Sequence, residues 1–515
     1  MSTCEVKIPR MIFRKALACA VGAVSVTALA GCSAGSTATH IGRDPGSGLV
    51  VAASVAPSSL DFTSAGGAAI PQALMGNVYE TLVTIGDDGH IQPGLASSWE
   101  VSNDGLTYTF QLRDGVTFSN GDAFTADTAA FSITNVLENW TNGLKSQMAA
   151  VTSARAVDTH VLEVTLDHPS NRWLWSMATL TGAMMTPGGV DALATDPVGT
   201  GPYTVERFVP GSSISYSARE DYWAQPADHD ASIRYYADAT SSVNALRTGD
   251  VDVVFGMQAP ELLDTLPEEY GVEVGTTNGE VLLSMNNAAA PFDDVRVRQA
   301  VFHAIDRRAV SDVVWQDLAV DTGGAPVPPT DPWFTGTDYA SYDPELSREL
   351  LREAGYSEDH RPEVTITVPS RPYTENVSEL VFSQLRDVGF DIKLETAEFP
   401  AVWLSQVMGA ADYQMSLISH AEPRDIPVLF GSSEGYLRFD SQAVRDDLAA
   451  ADSAGSPEQQ TAAMESAIDH IMDEAGALTL VNFPNIVLTA PGVTGIQPTT
   501  VTDTIDLRTI ERNGE

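Results

Sequence analysis

The spacing of apolar residues predicts short strands near the start of the chain and an alternation of helices and strands in its second half. Strands are predicted where apolar runs alternate with polar residues or are β-branched, over 48–56, 106–112, 363–368, 391–398, 413–418 and 478–488. Helices are predicted where apolar residues recur every three to four positions, over 343–354, 374–388, 401–409 and 456–474. This succession indicates an α/β layer in the second half, whereas the strands and Asp-Gly turns of 91–118 indicate a β-rich region in the first.

The ends of these predicted helices carry residues that begin and end helices. Asp343 and Ser456 stand where an N-cap is expected, and each is followed by a proline at the first helical position. Gly355 and Gly389 follow two of the helices and provide the left-handed conformation in which many helices end. The boundaries of the α/β region therefore rest on local signals.

The length of 515 residues predicts about two to four domains with sizeable cores. Hydrophobic residues make up 43% of the chain, which is typical of a globular protein. The chain carries 28 basic and 69 acidic residues, a net charge of −41, so it repels phosphate backbones and anionic lipid surfaces. Nucleic acid is therefore excluded as an expected partner.

The first residues have the features of an export signal. Four basic residues precede an apolar, alanine-rich stretch over 16–30, and the sequence Leu-Ala-Gly-Cys that ends at Cys32 resembles the lipobox of bacterial lipoproteins. We expect a signal peptide over 1–31, a lipid on Cys32, and a flexible tether over 32–48 that is rich in Ser, Gly, Ala and Thr. The expected location is the outer face of the bacterial cytoplasmic membrane. The alternative is an ordinary cleaved signal that is followed by an unrelated cysteine.

Several segments together resemble one protein family. They are 78–83 (VYETLV), 91–99 (IQPGLASSW), 104–118, 197–203 (PVGTGPY) and 291–307. In this order and spacing they are similar to the family 5 extracellular solute-binding proteins, the peptide and nickel receptors of ABC importers. The resemblance covers about residues 48–510 and implies a receptor that delivers its solute to a membrane permease with ATPase subunits.

The resemblance also implies the fold. It is an α/β, two-lobed, periplasmic-binding-protein-like fold (type II, cluster C) with an extra β-rich subdomain and a hinge between the lobes. We expect lobe I to comprise 49–277 plus 488–515, with the β-rich subdomain at about 81–198, and lobe II to comprise 278–487. A monomer without a cofactor is expected.

Two predicted loops carry the candidate binding residues. Arg371 and Tyr373 follow the strand 363–368, and His420 and Glu422 follow the strand 413–418. Because ligands bind at the carboxyl ends of strands in open α/β sheets, an arginine and a carboxylate there fit a zwitterion such as a short peptide. The resemblance implies that Arg371 holds the peptide carboxylate and Glu422 the α-ammonium group. Both residues can instead be surface charges in loops.

The other candidates in this region have competing explanations. Trp403 is a candidate stacking residue, or a core residue of its helix. His420 beside Glu422 raises the possibility of a metal ligand, but no cysteine and no second histidine lies nearby, so no metal site is expected. A metal chelate, haem or an oligosaccharide remains an alternative solute.

A lipid-anchored hydrolase is the alternative from another functional class. Residues 431–435 (GSSEG) match the G-x-S-x-G pattern of such enzymes. That pattern requires a turn from strand to helix, followed by an acid and a histidine, whereas His470 lies inside the predicted helix 456–474. We therefore expect no catalytic residues, and the predicted function is capture of short peptides without chemical conversion.

Overall fold

The computed structural model describes residues 48–513 except residue 503. The predicted signal peptide, the lipidation site Cys32 and the tether up to residue 47 lie outside the described residues. Within the described part, no helix combines the length and the apolar character that crossing a membrane requires.

Eighteen strands and twelve α-helices lie within the described residues. The strands are β1 (Leu49–Ala53), β2 (Val83–Ile85), β3 (Ile91–Pro93), β4 (Ala96–Val101), β5 (Thr107–Leu112), β6 (Val151–Asp158), β7 (Val161–Leu166), β8 (Tyr203–Val209), β9 (Ser213–Ala218), β10 (Ala231–Tyr235), β11 (Val253–Val254), β12 (Gly271–Met285), β13 (Glu363–Pro369), β14 (Asp391–Ala397), β15 (Met415–His420), β16 (Ala477–Thr489), β17 (Val493–Thr494) and β18 (Glu511–Arg512). The helices are α1 (Ala69–Leu74), α2 (Ala126–Asn139), α3 (Asn171–Ser176), α4 (Ala239–Thr248), α5 (Val295–Ala304), α6 (Arg307–Trp315), α7 (Pro344–Glu353), α8 (Pro372–Val388), α9 (Ala401–Trp403), α10 (Ile426–Phe430), α11 (Gln442–Asp452) and α12 (Pro457–Asp473).

The predicted helix ends are confirmed. The Asp343 carboxylate accepts hydrogen bonds from two backbone N–H groups in the first turn of α7, at 3.1 and 3.0 Å. The Ser456 hydroxyl accepts from the N–H of Gln459 at the start of α12. Gly355 and Gly389 have φ angles of 96° and 120°, which residues with a side chain rarely adopt.

Ten strands form one mixed sheet in the order β14-β13-β15-β12-β16-β11-β1-β10-β9-β8. β12 and β16 are its longest strands, with 15 and 13 residues, and they pair antiparallel along most of their length. The amino-terminal part of β12 pairs with the end of β16 that also pairs with β11, whereas the carboxyl-terminal part of β12 lies beside β15. These two strands therefore connect the two halves of the sheet.

The β12–β16 ladder is irregular between Thr276 and Glu280. The Asn482 side chain of β16 fills the gap by donating to the carbonyls of Thr277 and Gly279, at 2.8 and 3.0 Å. Pairing with β16 resumes at Glu280, with a second irregularity between Val281 and Leu282, and on its other side Glu280 lies opposite His420 of β15. The irregularity thus places a glutamate at the junction of the two halves of the sheet.

The buried apolar residues form two large clusters and a small one. One large cluster is drawn from residues 281–481, and the other from 49–253 together with 487–510. A separate four-stranded sheet, β4-β5-β7-β6, contributes to the second of these clusters, with α2 packed against it. These clusters show which residues pack together. They do not define lobe boundaries, so the boundaries given above stay a prediction.

Candidate functional site

A small pocket lies against the loop that follows β15. Its volume of about 10 Å³ is comparable to the space that one water-sized group needs. It is lined by Asn278, Glu280, Pro326, Pro328, Asp331, His420, Glu422, Arg424, Asp425 and Ile426. Because four of these ten residues carry carboxyl groups, we refer to it as the acidic pocket.

The carboxyl groups of the acidic pocket come from three separate parts of the chain. Glu280 lies on β12, Asp331 lies in the segment between α6 and α7, and Glu422 and Asp425 lie in the loop after β15. Glu280 is only 6% exposed, and its Oε2 accepts from the Thr479 hydroxyl at 3.3 Å. Its Oε1 is buried without a hydrogen-bond partner. A buried carboxyl oxygen without a partner is costly, so Glu280 is a candidate contact for a group that enters the pocket.

Burial opposes the ionised forms of these carboxyl groups. It raises the pKa of Asp425 to about 8, with further increases from the nearby charges of Glu422 and Asp331. Burial also raises the pKa of Asp331 to about 6, against the lowering effect of Arg424, and it raises the pKa of Glu280 well above its usual range. A cation in the pocket would favour the ionised forms, and it would have to replace the protons that these groups otherwise hold.

His420 lies at the end of β15 and is neutral at physiological pH. Its Nε2 is hydrogen-bonded to the Tyr436 hydroxyl at 2.8 Å, and its Nδ1 lies 3.6 Å from the Asp425 carboxylate. Burial lowers the pKa of His420 to about 4, and the charge of Glu422 opposes this shift. The histidine therefore adds no positive charge to the acidic pocket.

Three of these side chains are close enough to hold a metal ion. Candidate ligand atoms of His420, Glu422 and Asp425 all lie within 4.8 Å of one another. The sequence predicted no metal site, because the partners of His420 were sought among cysteines and histidines and not among carboxylates. Binding a metal through His420 would compete with its contacts to Tyr436 and Asp425.

Arg424 is held by contacts on several sides. Its guanidinium lies over the rings of Trp175 and Trp333, with its central carbon 3.4 and 4.4 Å from the ring centroids. It also pairs with Asp331 at 3.4 Å and donates to the carbonyl of Gly89 at 2.8 Å. Burial lowers the pKa of Arg424 to about 10, so the side chain stays protonated at neutral pH. Its charge balances Asp331 and leaves the other three carboxyl groups without a cationic partner in the pocket.

A much larger cavity adjoins the acidic pocket. Its volume is about 760 Å³, which is within the range of small-molecule binding sites. We refer to it as the chamber, and the polar residues of its wall include Glu80, Asp87, Gln147, Tyr222, Asp506 and Arg508. Glu422 lines both the chamber and the acidic pocket. A solute can therefore place one end beside Glu422 and the rest of its body in the chamber.

Of the predicted binding residues, the structure brings His420 and Glu422 together at this site. Arg371 is exposed, its guanidinium lies over the Phe399 ring at 4.6 Å, and it lines neither the acidic pocket nor the chamber. Tyr373 supports the end of β15, because its hydroxyl accepts from the N–H of Ser419 at 2.7 Å.

Trp403 belongs to the core. Only 1% of its surface is exposed, and its Nε1 donates to the Ser416 hydroxyl at 3.1 Å. In this conformation its ring is not accessible to a solute. Of the two explanations that the sequence offered, the structure agrees with a core residue of the helix.

The sequence analysis missed Glu280, Asp331, Arg424 and Asp425 as members of the site. A signal was available for Glu280, because it is a charged residue directly before the apolar run 281–283. For Asp331 no local signal exists, since it lies between prolines in an irregular segment. Its membership depends on how distant parts of the chain pack.

The hydrolase pattern at 431–435 does not form a nucleophile elbow. It follows the helix α10 and lies in turns, whereas the elbow requires a strand before the serine and a helix after it. His470 pairs with Asp447 at 2.8 Å, a contact between α12 and α11. The serine of this pattern is therefore not presented as a nucleophile of that type.

Comparison with known proteins places the chain in a family. The profile described as bacterial extracellular solute-binding proteins, family 5 Middle, matches residues 90–425. The chain belongs to this family. Heme-binding protein A of Haemophilus influenzae is 30% identical over 345 residues, which cover 60% of this chain and 62% of that protein, a little under two thirds of its length. The nickel-binding periplasmic protein of Escherichia coli is 27% identical over 360 residues, covering 64% of this chain and 67% of that protein.

Solved structures show the same fold. A periplasmic binding protein from Helicobacter pylori, associated with an ABC transporter and solved with the peptide STSA, superposes with a TM-score of 0.75 at 24% identity. The superposition covers 90% of this chain and 98% of that one. The predicted fold class, a two-lobed α/β fold of the periplasmic-binding-protein type, is confirmed.

Proposed function

We propose that this protein is the extracytoplasmic receptor of an ABC importer and that it captures short peptides by their amino end. The observation that carries the proposal is the position of Glu422, which lines both the acidic pocket and the chamber. The α-ammonium group binds at the acidic pocket, and the remaining residues of the peptide occupy the chamber. The receptor then delivers the peptide to a permease whose ATPase subunits supply the energy.

An α-ammonium group fits the chemistry of the acidic pocket. It offers three donors, and the pocket offers carboxylate acceptors that include the unpartnered Oε1 of Glu280. His420 is neutral and Arg424 is already paired with Asp331, so neither repels the ammonium strongly. The small volume of the pocket admits this group and leaves the peptide chain in the chamber.

The carboxylate end is proposed to bind Arg371, as the family resemblance implies. This role requires the guanidinium to leave its position over Phe399 and reach the solute. A planar guanidinium can hold a carboxylate through two parallel hydrogen bonds. Removing the guanidinium from such a desolvated pair weakens binding strongly.

Titration calorimetry with a tripeptide and with its N-acetylated and C-amidated forms tests both anchors. Glu422→Gln and N-acetylation should each weaken binding by about thirtyfold or more, since each removes one partner of a desolvated charge pair. Arg371→Met and C-amidation should do the same at the other end. Glu349→Gln, an exposed position on α7, is the matched control and should bind as the unaltered protein does. Normal binding by Glu422→Gln together with normal binding of the acetylated peptide would show that the amino anchor is misassigned.

A chelated metal ion is a second candidate solute. It is supported by the proximity of His420, Glu422 and Asp425 and by the nickel-binding relative. Calorimetry with Ni²⁺, alone and with free histidine, tests it. Micromolar binding of nickel combined with no binding of any peptide would favour this candidate over the first.

We also propose that the receptor is a monomer held at the membrane by a lipid on Cys32. The lipobox-like sequence and the tether after it support the lipid anchor. Cys32→Ser should release the protein from the membrane fraction of the cells that make it. Retention of this variant in the membrane fraction would contradict the proposal.

A further inference from the structure

Arg508 places a positive charge on the wall of the chamber. Of the residues that line the chamber within the described part of the chain, Arg508 alone has a cationic side chain. Arg371, the residue that the family resemblance assigns to a carboxylate, lines neither the chamber nor the acidic pocket. Glu422 lines the same chamber, so its wall offers both an acidic and a basic side chain to one solute.

The segment that carries Arg508 is fixed by a buried side chain. Asn77 has no exposed surface, and it donates to the Ile505 carbonyl at 2.8 Å and accepts from the Leu507 N–H at 3.2 Å. Asp506 begins a single helical turn by accepting from the backbone N–H of Arg508 at 3.0 Å. The backbone at Arg508 is therefore held in place before a solute binds.

The guanidinium of Arg508 has donors left for a solute. Its contact with the Asp506 carboxylate, at 3.8 Å, is longer than a hydrogen bond, and 35% of its side chain is exposed. A guanidinium has five N–H donors, and among the residues that the structure describes none of these donors forms a hydrogen bond. Burial raises the pKa of Asp506, against the lowering effect of Arg508, so Asp506 competes for the guanidinium less strongly than an ordinary carboxylate would.

The other charged residues of the chamber wall are acidic. Glu80 and Asp87 line it together with Glu422 and Asp506. The Glu80 carboxyl group already accepts from the Tyr222 hydroxyl at 2.8 Å, and Asp87 is exposed. Like charges repel, so a carboxylate of the solute has one favourable position on the charged part of this wall, which is beside Arg508.

We propose that Arg508 binds a carboxylate of the solute inside the chamber. This inference rests on the proposed function and names a contact residue for the peptide. The carboxylate can come from two sources, the carboxyl end of the peptide or an acidic side chain. If it is the carboxyl end, Arg508 takes the role that the resemblance implies for Arg371.

Calorimetry with two pairs of peptides tests the inference and distinguishes the sources. One pair is Ala-Ala-Ala and its C-amidated form, and the other is Ala-Glu-Ala and Ala-Gln-Ala. In at least one pair the peptide with the additional carboxylate should bind the unaltered protein about tenfold more tightly, and Arg508→Gln should remove this preference. Arg508→Lys should retain part of it. Asp506→Asn keeps an acceptor for the helical turn but removes the competing charge, so it should increase the preference. Arg308→Gln, an exposed position on α6, is the control for the loss of one arginine.

The outcomes separate the inference from the proposed function. Loss of the preference in the amidation pair alone identifies the carboxyl end as the group that Arg508 binds, and loss in the glutamate pair alone identifies an acidic side chain. Preferences that are the same in Arg508→Gln and the unaltered protein would overturn the inference and leave the peptide receptor in place. Equal weakening of all four peptides, with a lower thermal midpoint, would assign Arg508 a structural role and also overturn it. Absence of peptide binding to the unaltered protein would refute the proposed function itself.

Discussion

The buried carboxyl groups of the acidic pocket hold their protons at a pH at which carboxyl groups in water are ionised. Burying an ionised carboxylate without a partner costs several kcal/mol, and proteins usually avoid this cost by pairing or protonating the group. Here Asp331 is paired and partly titrated near neutrality, whereas Asp425 and Glu280 hold protons well above the usual carboxyl pKa. In the solute-free protein the pocket therefore avoids most of this cost by holding protons.

Asp425→Asn should change how stability depends on pH. Burial raises the pKa of Asp425 to about 8 in the folded protein, against 3.8 as its ordinary value. Between these two values the folded state binds more protons than the unfolded state, so stability falls as the pH rises from about 4 to about 8. Asparagine removes this dependence, and the variant should have the higher thermal midpoint at pH 8 and lose that advantage toward pH 5. Parallel pH profiles for the variant and the unaltered protein would contradict this, and Asp359→Asn on the surface is the control.

At the scale of elements, the sequence predicts those helices whose ends carry capping residues or glycine stops. The caps at Asp343 and Ser456 and the stops at Gly355 and Gly389 set α7, α8 and α12 within a few residues. The whole of β12 was missed, since no strand was predicted over 271–285. Its irregular pairing at 276–280 is completed by a side chain from a strand about two hundred residues later, which no local pattern encodes.

The candidate site was predictable only in part for the same reason. The rule that ligands lie at the carboxyl ends of strands pointed to His420 and Glu422. Both residues line the acidic pocket, and their contact with a solute stays a prediction. Glu280 joins them through the register of β12 against β15, which pairs it with His420 and which no local pattern encodes. Arg371 follows a strand adjacent to β15, yet its guanidinium lies over the Phe399 ring and does not line the chamber.

Trp403→Phe should separate a core role from a binding role for the helix that precedes β15. The substitution removes the Nε1 hydrogen bond to Ser416 and part of a fully buried side chain. We expect a loss of about 1–3 kcal/mol in the free energy of unfolding, measured with urea. Peptide affinity should stay within about twofold of the unaltered protein. A drop in affinity without a loss of stability would show that Trp403 meets the solute, and the exposed neighbour Val402, changed to Ala, is the control.

At the scale of the whole molecule, two groups of contacts join parts of the chain that pack into different cores. Trp173 of α3 belongs to one large apolar cluster and Leu448 of α11 to the other. At the start of α3, the Ser170 hydroxyl and the N–H of Arg172 both donate to the Asp452 carboxylate at the end of α11, at 3.0 and 2.8 Å. The contacts of Arg424 form the second group. If the two clusters move as lobes, both groups stabilise a closed conformation without a solute.

Asp452→Ala should therefore shift the protein toward an open form. The alanine removes the acceptor for Ser170 and Arg172 and leaves the core residues of α11 in place. Because a ligand that contacts both lobes binds the closed state, a smaller closed population lowers its apparent affinity, here by about three- to tenfold. Small-angle scattering of the solute-free variant should give a larger radius of gyration than the unaltered protein, and saturating peptide should remove the difference. Asp446→Ala, an exposed position on the same helix, should change neither quantity. An identical radius of gyration for both solute-free proteins would show that these contacts do not hold the lobes together.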